Sequence, residues 1–350
     1  METRRLGNTD LRLTEVGLGT WAMGGGDWKF SGGPQDDEQS VRTIHRAMDL
    51  GVNWIDTAPV YGLGHAEEIV GRATKGIPDR PLIATKCERC WEKDRQIYPC
   101  LKRESVRAEA EASLRRLGIE TIDLYQVHWP QPEEDLEEGW AAVAELVREG
   151  KVRYAGVSNF SLAPLRRVQA VHPVASLQPP YSMLVRGVEA ELLPYCAANG
   201  IGVVAYSPMQ KGLLTGKVTP ERVAQMPADD HRRGDPEFQP PRLAANMELA
   251  EGLCRLAEDR RPPGDRLGTP PPRGDRRDRR RPQAFAGRGD GGGRRLEAFP
   301  RGPCRRRRLA RKARVGRMMD GPGGRPMQRS VYRRLRGPSI LRVGFPRFAD

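Results

Sequence analysis

Asn53–Lys86, NWIDTAPVYGLGHAEEIVGRATKGIPDRPLIATK, contains two apolar strand candidates with one amphipathic helix candidate between them. The strand candidates are NWIDTA and PLIATK, and their Ile, Leu and Ala content is typical of strands buried on both faces. The helix candidate, Ala66–Ala73, has apolar residues at helical spacing. A strand, a helix and a second strand in this order predict two parallel strands joined by a crossover helix.

The same alternation continues on both sides of this segment. Five more strand candidates have the same apolar character: VGLGTW, DLYQVH, RYAGVSN, ASLQPP and GVVAYSP. Further helix candidates cover Asp37–Leu50, Glu104–Leu117, Leu136–Glu149, Leu162–Val171, Val188–Asn199 and Pro241–Ala257. Seven strands without a Gly-rich dinucleotide fingerprint favour an α/β fold of the (β/α)8 TIM-barrel type over a doubly wound sheet.

Both ends of the pattern depart from plain alternation. Near the N-terminus, RRLGNTDLRLTEV (4–16) has NTD between two short runs, which predicts a hairpin that plugs the barrel bottom. After Pro241–Ala257 no eighth strand and helix are recognisable. We therefore expect an incomplete barrel over 1–258, its eighth strand and C-terminal helices missing or replaced by a tail over 259–350. The first and seventh strands are then expected to keep unpaired edges, which predicts poor folding.

Charge separates the same two parts of the chain. The whole chain has a net charge of +14, but Arg261–Asp350 alone carries +20, so Met1–Arg260 carries −6. The first part therefore resembles an ordinary soluble protein, and no specific nucleic-acid partner is expected, because the tail has no recognition motif and almost no aromatic residues between its basic ones. No apolar run of membrane-spanning length and no signal-peptide core is present, which predicts a cytoplasmic protein without membrane contact.

Cysteine usage agrees with a reducing compartment. Six cysteines in 350 residues do not form a recognisable disulfide framework. Cys87 and Cys90 in KCERC have metal-like spacing, with Cys100 nearby, but no second ligand pair follows. We expect free thiols and no metal site.

Polar residues end successive strands of the predicted barrel, where catalytic groups of this fold gather on one face. They are Asp56, Lys86, His128, Ser158, Asn159, Gln178 and Tyr206. A Lys86 ammonium near Tyr61 is expected to lower the pKa of the phenol, and Asp56 to keep Lys86 charged and oriented. With His128 orienting a substrate oxygen, this set suits the reduction of a carbonyl by a hydride donor.

Several segments of Arg4–Glu258 resemble the aldo-keto reductase superfamily, namely GLGTW, NWIDTAPVYGLGHAEEIVG, LIATK, DLYQVHWP, YAGVSNF and AYSPMQKGLLTGK. The resemblance implies a catalytic tetrad of Asp56, Tyr61, Lys86 and His128, with Tyr61 as general acid. It implies that Ser158, Asn159 and Gln178 hold the nicotinamide carboxamide and that Tyr206 stacks on the ring. It implies a substrate mouth lined by Trp21 and Trp129. Ser207–Lys217, with Ser207, Gly212, Leu214 and Lys217, resembles the loop that covers the cofactor pyrophosphate.

The resemblance predicts an NADPH-dependent oxidoreductase that reduces aldehydes or ketones to alcohols. Family members hold the NADPH 2′-phosphate with a basic segment after strand 8, and the chain as written has no such segment, so we expect weak cofactor binding. The alternatives are a non-catalytic cofactor-binding barrel acting as a sensor or subunit, and an inactive truncated reductase. The physiological carbonyl substrate and the oligomeric state are left open.

The tail has the composition of a GC-rich gene translated out of frame. Arg261–Asp350 contains 15 Gly and 12 Pro but only nine Leu, Ile and Val, so it cannot bury a core and is expected to be disordered. Codons shifted by one base can encode the missing strand, a basic stretch and a helix in the family's order. Because Met is encoded only by ATG, Met318–Met319 forces a stop codon in the shifted register. We therefore hypothesise a frameshift near Glu258–Pro262.

Overall fold

The computed structural model describes residues 1–227, 230–259 and 340–344. It begins with an antiparallel hairpin of β1 (Thr3–Arg5) and β2 (Arg12–Thr14), as predicted. Leu6, Leu11 and Leu13 of this hairpin pack against Trp54 and Leu124 of the barrel strands. The hairpin therefore closes the barrel bottom with an apolar plug.

Eight parallel strands form a closed barrel, which confirms the predicted fold class. The remaining strands in chain order are β3 (Val16–Gly19), β4 (Trp54–Asp56), β5 (Leu82–Cys87), β6 (Arg89–Trp91), β7 (Ile97–Pro99), β8 (Ile122–Val127), β9 (Val152–Ser158), β10 (Ser176–Gln178), β11 (Gly202–Ala205) and β12 (Ile340–Gly344). Strands β6 and β7 form a separate antiparallel hairpin, and the other eight form the barrel in the order β3, β4, β5, β8, β9, β10, β11, β12.

Helices alternate with these strands as predicted. They are α1 (Asp37–Asp49), α2 (His65–Thr74), α3 (Arg103–Leu117), α4 (Leu136–Arg148), α5 (Leu162–Val171), α6 (Leu192–Asn199), α7 (Pro220–Ala224) and α8 (Arg242–Asp259). Helices α3 and α6 end at Gly118 and Gly200, which both have φ 66° in the left-handed region where glycine is favoured. The largest apolar cluster packs α3, α4 and α5 against β8 and β9, with Trp140 and Tyr125 fully buried. Among the described helices, none is long and apolar enough to cross a bilayer.

The prediction that β3 and β11 have unpaired edges is wrong. Strand β12, from the tail, lies between them, with Val204 of β11 opposite Leu341 and Val16 of β3 opposite Arg342. Parallel pairing needs only backbone N–H and C=O groups, so a short tail segment without family resemblance can occupy the eighth position. The tail over 259–350 is predicted to be disordered, and this is wrong for Asp259, which ends α8, and for Ile340–Gly344, which forms β12. The rest of the tail, residues 260–339 and 345–350, lies outside the described residues.

Candidate active site

Four predicted catalytic side chains meet at the carboxyl ends of β4, β5 and β8. Lys86 Nζ donates hydrogen bonds to both carboxylate oxygens of Asp56, at 2.9 and 3.1 Å, and to the Thr57 carbonyl at 2.9 Å. It also donates to Tyr61 Oη at 3.4 Å. The His128 ring lies edge-on to the Tyr61 ring, with the centroids 6.0 Å apart. The structure therefore brings the whole predicted tetrad together.

Burial dominates the electrostatics of Tyr61. Burial raises the pKa of the phenol, the Lys86 ammonium lowers it, and the Asp56 carboxylate raises it again, so the pKa lies above its ordinary value. The predicted net lowering is therefore wrong, although the contribution of Lys86 has the predicted sign. A phenol with a raised pKa keeps its proton at neutral pH and is in the form that a general acid requires.

Lys86 is held in its charged form and His128 in its neutral form. Burial lowers the pKa of Lys86, but Asp56 and Tyr61 together more than offset it, so the pKa is raised and the ammonium is retained. Burial lowers the pKa of His128 well below its ordinary value, and the charges of Lys86 and Arg89 lower it further. A neutral imidazole beside a charged lysine can donate one hydrogen bond to a substrate oxygen.

The predicted carboxamide-binding residues form one connected polar set next to the tetrad. Ser158 Oγ donates to the Gln178 carbonyl at 2.9 Å, and Asn159 Nδ2 donates to the His128 carbonyl at 3.0 Å. Tyr206 Oη donates to Asn159 Oδ1 at 2.8 Å. Gln178 Nε2 donates to Asp56 Oδ1 at 2.8 Å. Asn159 and Gln178 thus contact tetrad residues directly, and Tyr206 and Ser158 are joined to the tetrad through them.

Ser207–Lys217 contains an irregular turn. Its centre, Gln210–Thr215, is a distorted 3-10 helix with Gly212 at φ 104°. Ser207 also has a positive φ of 52°, Leu214 is buried and Lys217 is exposed. Lys211 Nζ is paired with Asp235 Oδ2 at 2.6 Å. The loop places backbone groups and a glycine after β11, at the same barrel end as the tetrad.

The two predicted substrate residues have different neighbours. Trp21 packs with the aromatic cluster around Trp28 and Tyr61, and its ring lies 5.0 Å from the His231 ring. Trp129 follows His128 and is 38% exposed. The Arg89 guanidinium lies over the Trp129 ring at 5.7 Å.

Three residues near the site were missed by sequence reasoning. Gln126, fully buried in β8, donates from Nε2 to Asp56 Oδ1 at 3.4 Å. It stands in DLYQVH two residues before His128, so the period of two along a strand was the available signal. His231 lies in a short 3-10 turn, and nothing in the sequence marked either it or Arg89 as a residue of the rim.

The KCERC motif is separate from this chemistry. Cys87 is buried in the core and Cys90 Sγ lies 3.2 Å from Ser105 Oγ. Within the described residues, no cluster of His, Cys, Asp and Glu could hold a metal ion.

A closed parallel barrel with Tyr, Lys, Asp and His at one rim defines a class of carbonyl-reducing oxidoreductases. The sequence profile of the Aldo/keto reductase family matches residues 15–262, and the chain belongs to this family. It is therefore an oxidoreductase of the aldo-keto reductase type and uses a nicotinamide cofactor.

Individual relatives agree with this assignment. The chain is 42% identical to the aldo-keto reductase YhdN of Bacillus subtilis, over 74% of this chain and 77% of the relative. It is 43% identical to the NADH-specific methylglyoxal reductase of Escherichia coli, over 62% of this chain and 70% of the relative. A glycerol dehydrogenase from Gluconobacter oxydans superposes with a TM-score of 0.67 at 41% identity, covering 74% of this chain and 79% of that one. An aldo-keto reductase from Klebsiella pneumoniae in complex with NADPH superposes with a TM-score of 0.51 at 32% identity, covering 62% and 70%.

Proposed function

We propose that this chain reduces aldehydes or ketones to alcohols with NADPH, and that Tyr61 is the general acid. This proposal rests on the position of Lys86 Nζ, which contacts Asp56 Oδ2 at 2.9 Å and Tyr61 Oη at 3.4 Å in a buried site. Trp21 and Trp129 line the mouth through which the carbonyl substrate enters.

The polar set beside the tetrad fits a nicotinamide cofactor. A carboxamide offers two donors and one acceptor, which match the amides of Asn159 and Gln178 and the hydroxyl of Ser158. Tyr206, anchored through its hydroxyl, has a ring that can stack on a planar heterocycle. The loop that contacts the cofactor pyrophosphate includes Ser207, Gly212, Leu214 and Lys217. When bound, the cofactor supplies the hydride.

The residues of the chain supply the proton and the electrostatic stabilisation. His128, neutral because of burial, donates a hydrogen bond that orients the carbonyl oxygen toward Tyr61. Tyr61 Oη gives its proton to that oxygen as the alkoxide develops, which leaves a phenolate. The Lys86 ammonium stabilises this phenolate, and Asp56 holds Lys86 in place.

The reaction is tested by Tyr61→Phe, which removes the proton and little else. We expect kcat for an aromatic aldehyde, followed by NADPH absorbance, to fall by about 10²–10⁴-fold, the usual contribution of a positioned acid. Tyr195→Phe, on α6 away from the site, is the control and should retain full activity. A Tyr61→Phe variant that keeps its kcat would refute the assigned role.

The choice of NADPH over NADH is a separate part of the proposal. It is supported by the NADPH complex of the Klebsiella relative, whereas the Escherichia coli relative is named as NADH-specific. The family's basic segment after strand 8, which holds the 2′-phosphate, is not recognisable in this sequence, so this part of the proposal rests on the relatives. We expect kcat/KM to be higher with NADPH, and equal or higher values with NADH would contradict this part alone.

We also propose that a frameshift near Glu258–Pro262 generated the tail and that the protein acts in the cytoplasm. The family match ends at residue 262, beside the predicted frameshift. The five described cysteines are free thiols, as a reducing compartment favours. The nucleotide sequence of codons 255–320 tests the frameshift. The hypothesis would be refuted by a verified nucleotide sequence that encodes Arg261–Asp350 in its present form and whose codons, shifted by one base, do not encode the missing strand, basic stretch and helix.

A further inference from the structure

Arg89 lies beside Trp129 and neither donates nor accepts a proton in the proposed reaction. It begins β6, three residues after Lys86. Its guanidinium lies 5.7 Å from the centre of the Trp129 ring, and Nη2 donates to Gln131 Oε1 at 3.1 Å. Because Trp129 is assigned to the substrate mouth, this stacking places a cation at the mouth as well.

The backbone under Arg89 is held by its neighbours. Glu88 has φ 94°, an uncommon value for a residue with a side chain, and it turns the chain out of β5. The Glu88 N–H donates to the Glu109 carboxylate at 3.1 Å, and the Glu88 carbonyl accepts from the Cys100 N–H at 2.9 Å. These hydrogen bonds fix the backbone next to Arg89, and stacking on Trp129 limits the rotamers of the Arg89 side chain.

The charge of Arg89 reaches the reacting groups and is not cancelled locally. It contributes to the low pKa of His128, after burial and Lys86. Glu88 Oε2 lies 3.3 Å from Arg89 Nε, but the carboxyl is fully buried, and burial raises the pKa of Glu88 to about 8. At neutral pH Glu88 is therefore mostly protonated, while Lys86 and Asp56 balance each other. Arg89 is left as the net positive charge beside His128 and Trp129.

The guanidinium also has donors available. Its five N–H groups form a planar fork that matches a carboxylate, and its polar contacts with described residues involve Nε and one N–H of Nη2. A substrate whose carbonyl is oriented by His128 would extend past Trp129 toward this fork.

We propose that Arg89 makes the enzyme prefer aldehydes or ketones that carry a carboxylate over neutral ones of the same shape. The inference rests on the proposed reductase function and names the substrate class of that same site. Arg89 is a specificity-determining residue, because it contacts the substrate but transfers neither proton nor hydride.

The test compares 4-formylbenzoate with its neutral methyl ester. In the unaltered protein we expect kcat/KM to be about tenfold or more higher for the acid, a typical effect of a charge-assisted hydrogen bond. In Arg89→Gln the acid should lose about tenfold, while the ester changes by less than about twofold. Arg89→Lys, which keeps the charge without the fork, should retain part of the preference. Added salt should weaken the preference in the unaltered protein, because the site opens to solvent.

Arg166→Gln is the matched control. This arginine stacks on Tyr195 at 5.4 Å, on α5 and α6, and its loss removes one positive charge away from the mouth. It should leave the ratio between the two substrates unchanged. Equal losses for acid and ester in Arg89→Gln would overturn the proposal, because they would show that Arg89 only supports Trp129 or His128.

A binding measurement separates this proposal from the proposed function. The product-like anion 4-(hydroxymethyl)benzoate should quench tryptophan fluorescence with a Kd about tenfold lower in the unaltered protein than in Arg89→Gln. If neither aldehyde is reduced but this difference persists, the reductase activity fails and anion recognition by Arg89 stands. If both aldehydes are reduced and the Kd values are equal, the recognition fails and the reductase stands.

Discussion

Five of the barrel strands and the eighth, β12, meet different requirements. Each of β4, β5, β8, β9 and β10 brings to the rim a polar side chain that the proposed chemistry requires, and each of these positions needs one particular type of residue. Strand β12 meets a backbone requirement, with parallel pairing to β11 and β3 through a segment, ILRVG, that has an arginine at its centre. Parallel barrel strands are usually apolar runs. The comparison shows that closing the sheet constrains sequence far less than building the site does.

Removing the lysine at the centre of the site should have the largest effect. Lys86→Met leaves the Asp56 carboxylate, 4% exposed, without its cation. Breaking one half of a buried ion pair costs about 3–5 kcal/mol, so urea unfolding should shift strongly, and aldehyde reduction should be lost. The double variant Asp56→Asn/Lys86→Met should recover part of the stability and none of the activity. A single variant as stable as the original protein would show that the pair is not held as described.

Breaking the backbone pairing of β12 should have a smaller effect. Leu341→Pro removes an N–H from the strand that pairs with Val204. We expect the free energy of unfolding to fall by about 1–3 kcal/mol, the cost of unsatisfied backbone groups. Leu341→Val keeps the N–H and should remain close to the original. If the proline variant unfolds at the same urea concentration as the unaltered protein, the pairing of β12 contributes nothing to closing the barrel. The comparison between β12 and the strands that carry the site would then no longer hold.

The buried carboxyl beside the rim predicts a pH dependence of stability. Burial raises the pKa of Glu88 to about 8, above its ordinary value, so the folded state holds this proton where the unfolded state has lost it. The stability from this group is complete below the ordinary pKa of 4.5 and is lost as pH rises from there to about 8, by about 1.4 kcal/mol per pH unit at most. Glu88→Gln should flatten this slope in unfolding measurements between pH 5 and 8. An unchanged slope would assign the dependence to other groups, with Glu109, whose pKa is also raised to about 8 by burial, as the next to test.

The smallest effect is expected at Gln126. Gln126→Leu removes the 3.4 Å hydrogen bond to Asp56, but it also removes a buried amide oxygen that has no partner among the described residues. These changes oppose each other, so unfolding should move by less than about 1 kcal/mol. Gln126→Glu places a second carboxyl beside Asp56 and should be more damaging. A large loss in Gln126→Leu would mean that Asp56 depends on this amide more than on Lys86.

The sequence predicted the fold class, the hairpin and the joint position of Asp56, Tyr61, Lys86 and His128, because strand ends in a barrel share one face. It did not predict the direction of the Tyr61 pKa, which is set by burial in the folded structure. Gln126 was missed because it stands two residues before His128, whereas the prediction considered only residues at the strand ends. Strand β12 was missed because its pairing uses backbone groups, which every sequence has.

The origin of β12 has a consequence for how the chain is made. Residues 260–339 separate α8 from this strand, so the eighth barrel strand leaves the ribosome long after the first seven. The cost of closing such a long connection rises slowly with length, by about 0.6 kcal/mol per doubling. The delay matters more than that cost: until residue 344 is synthesised, β3 and β11 have free edges on which a neighbouring nascent chain can add a strand of its own.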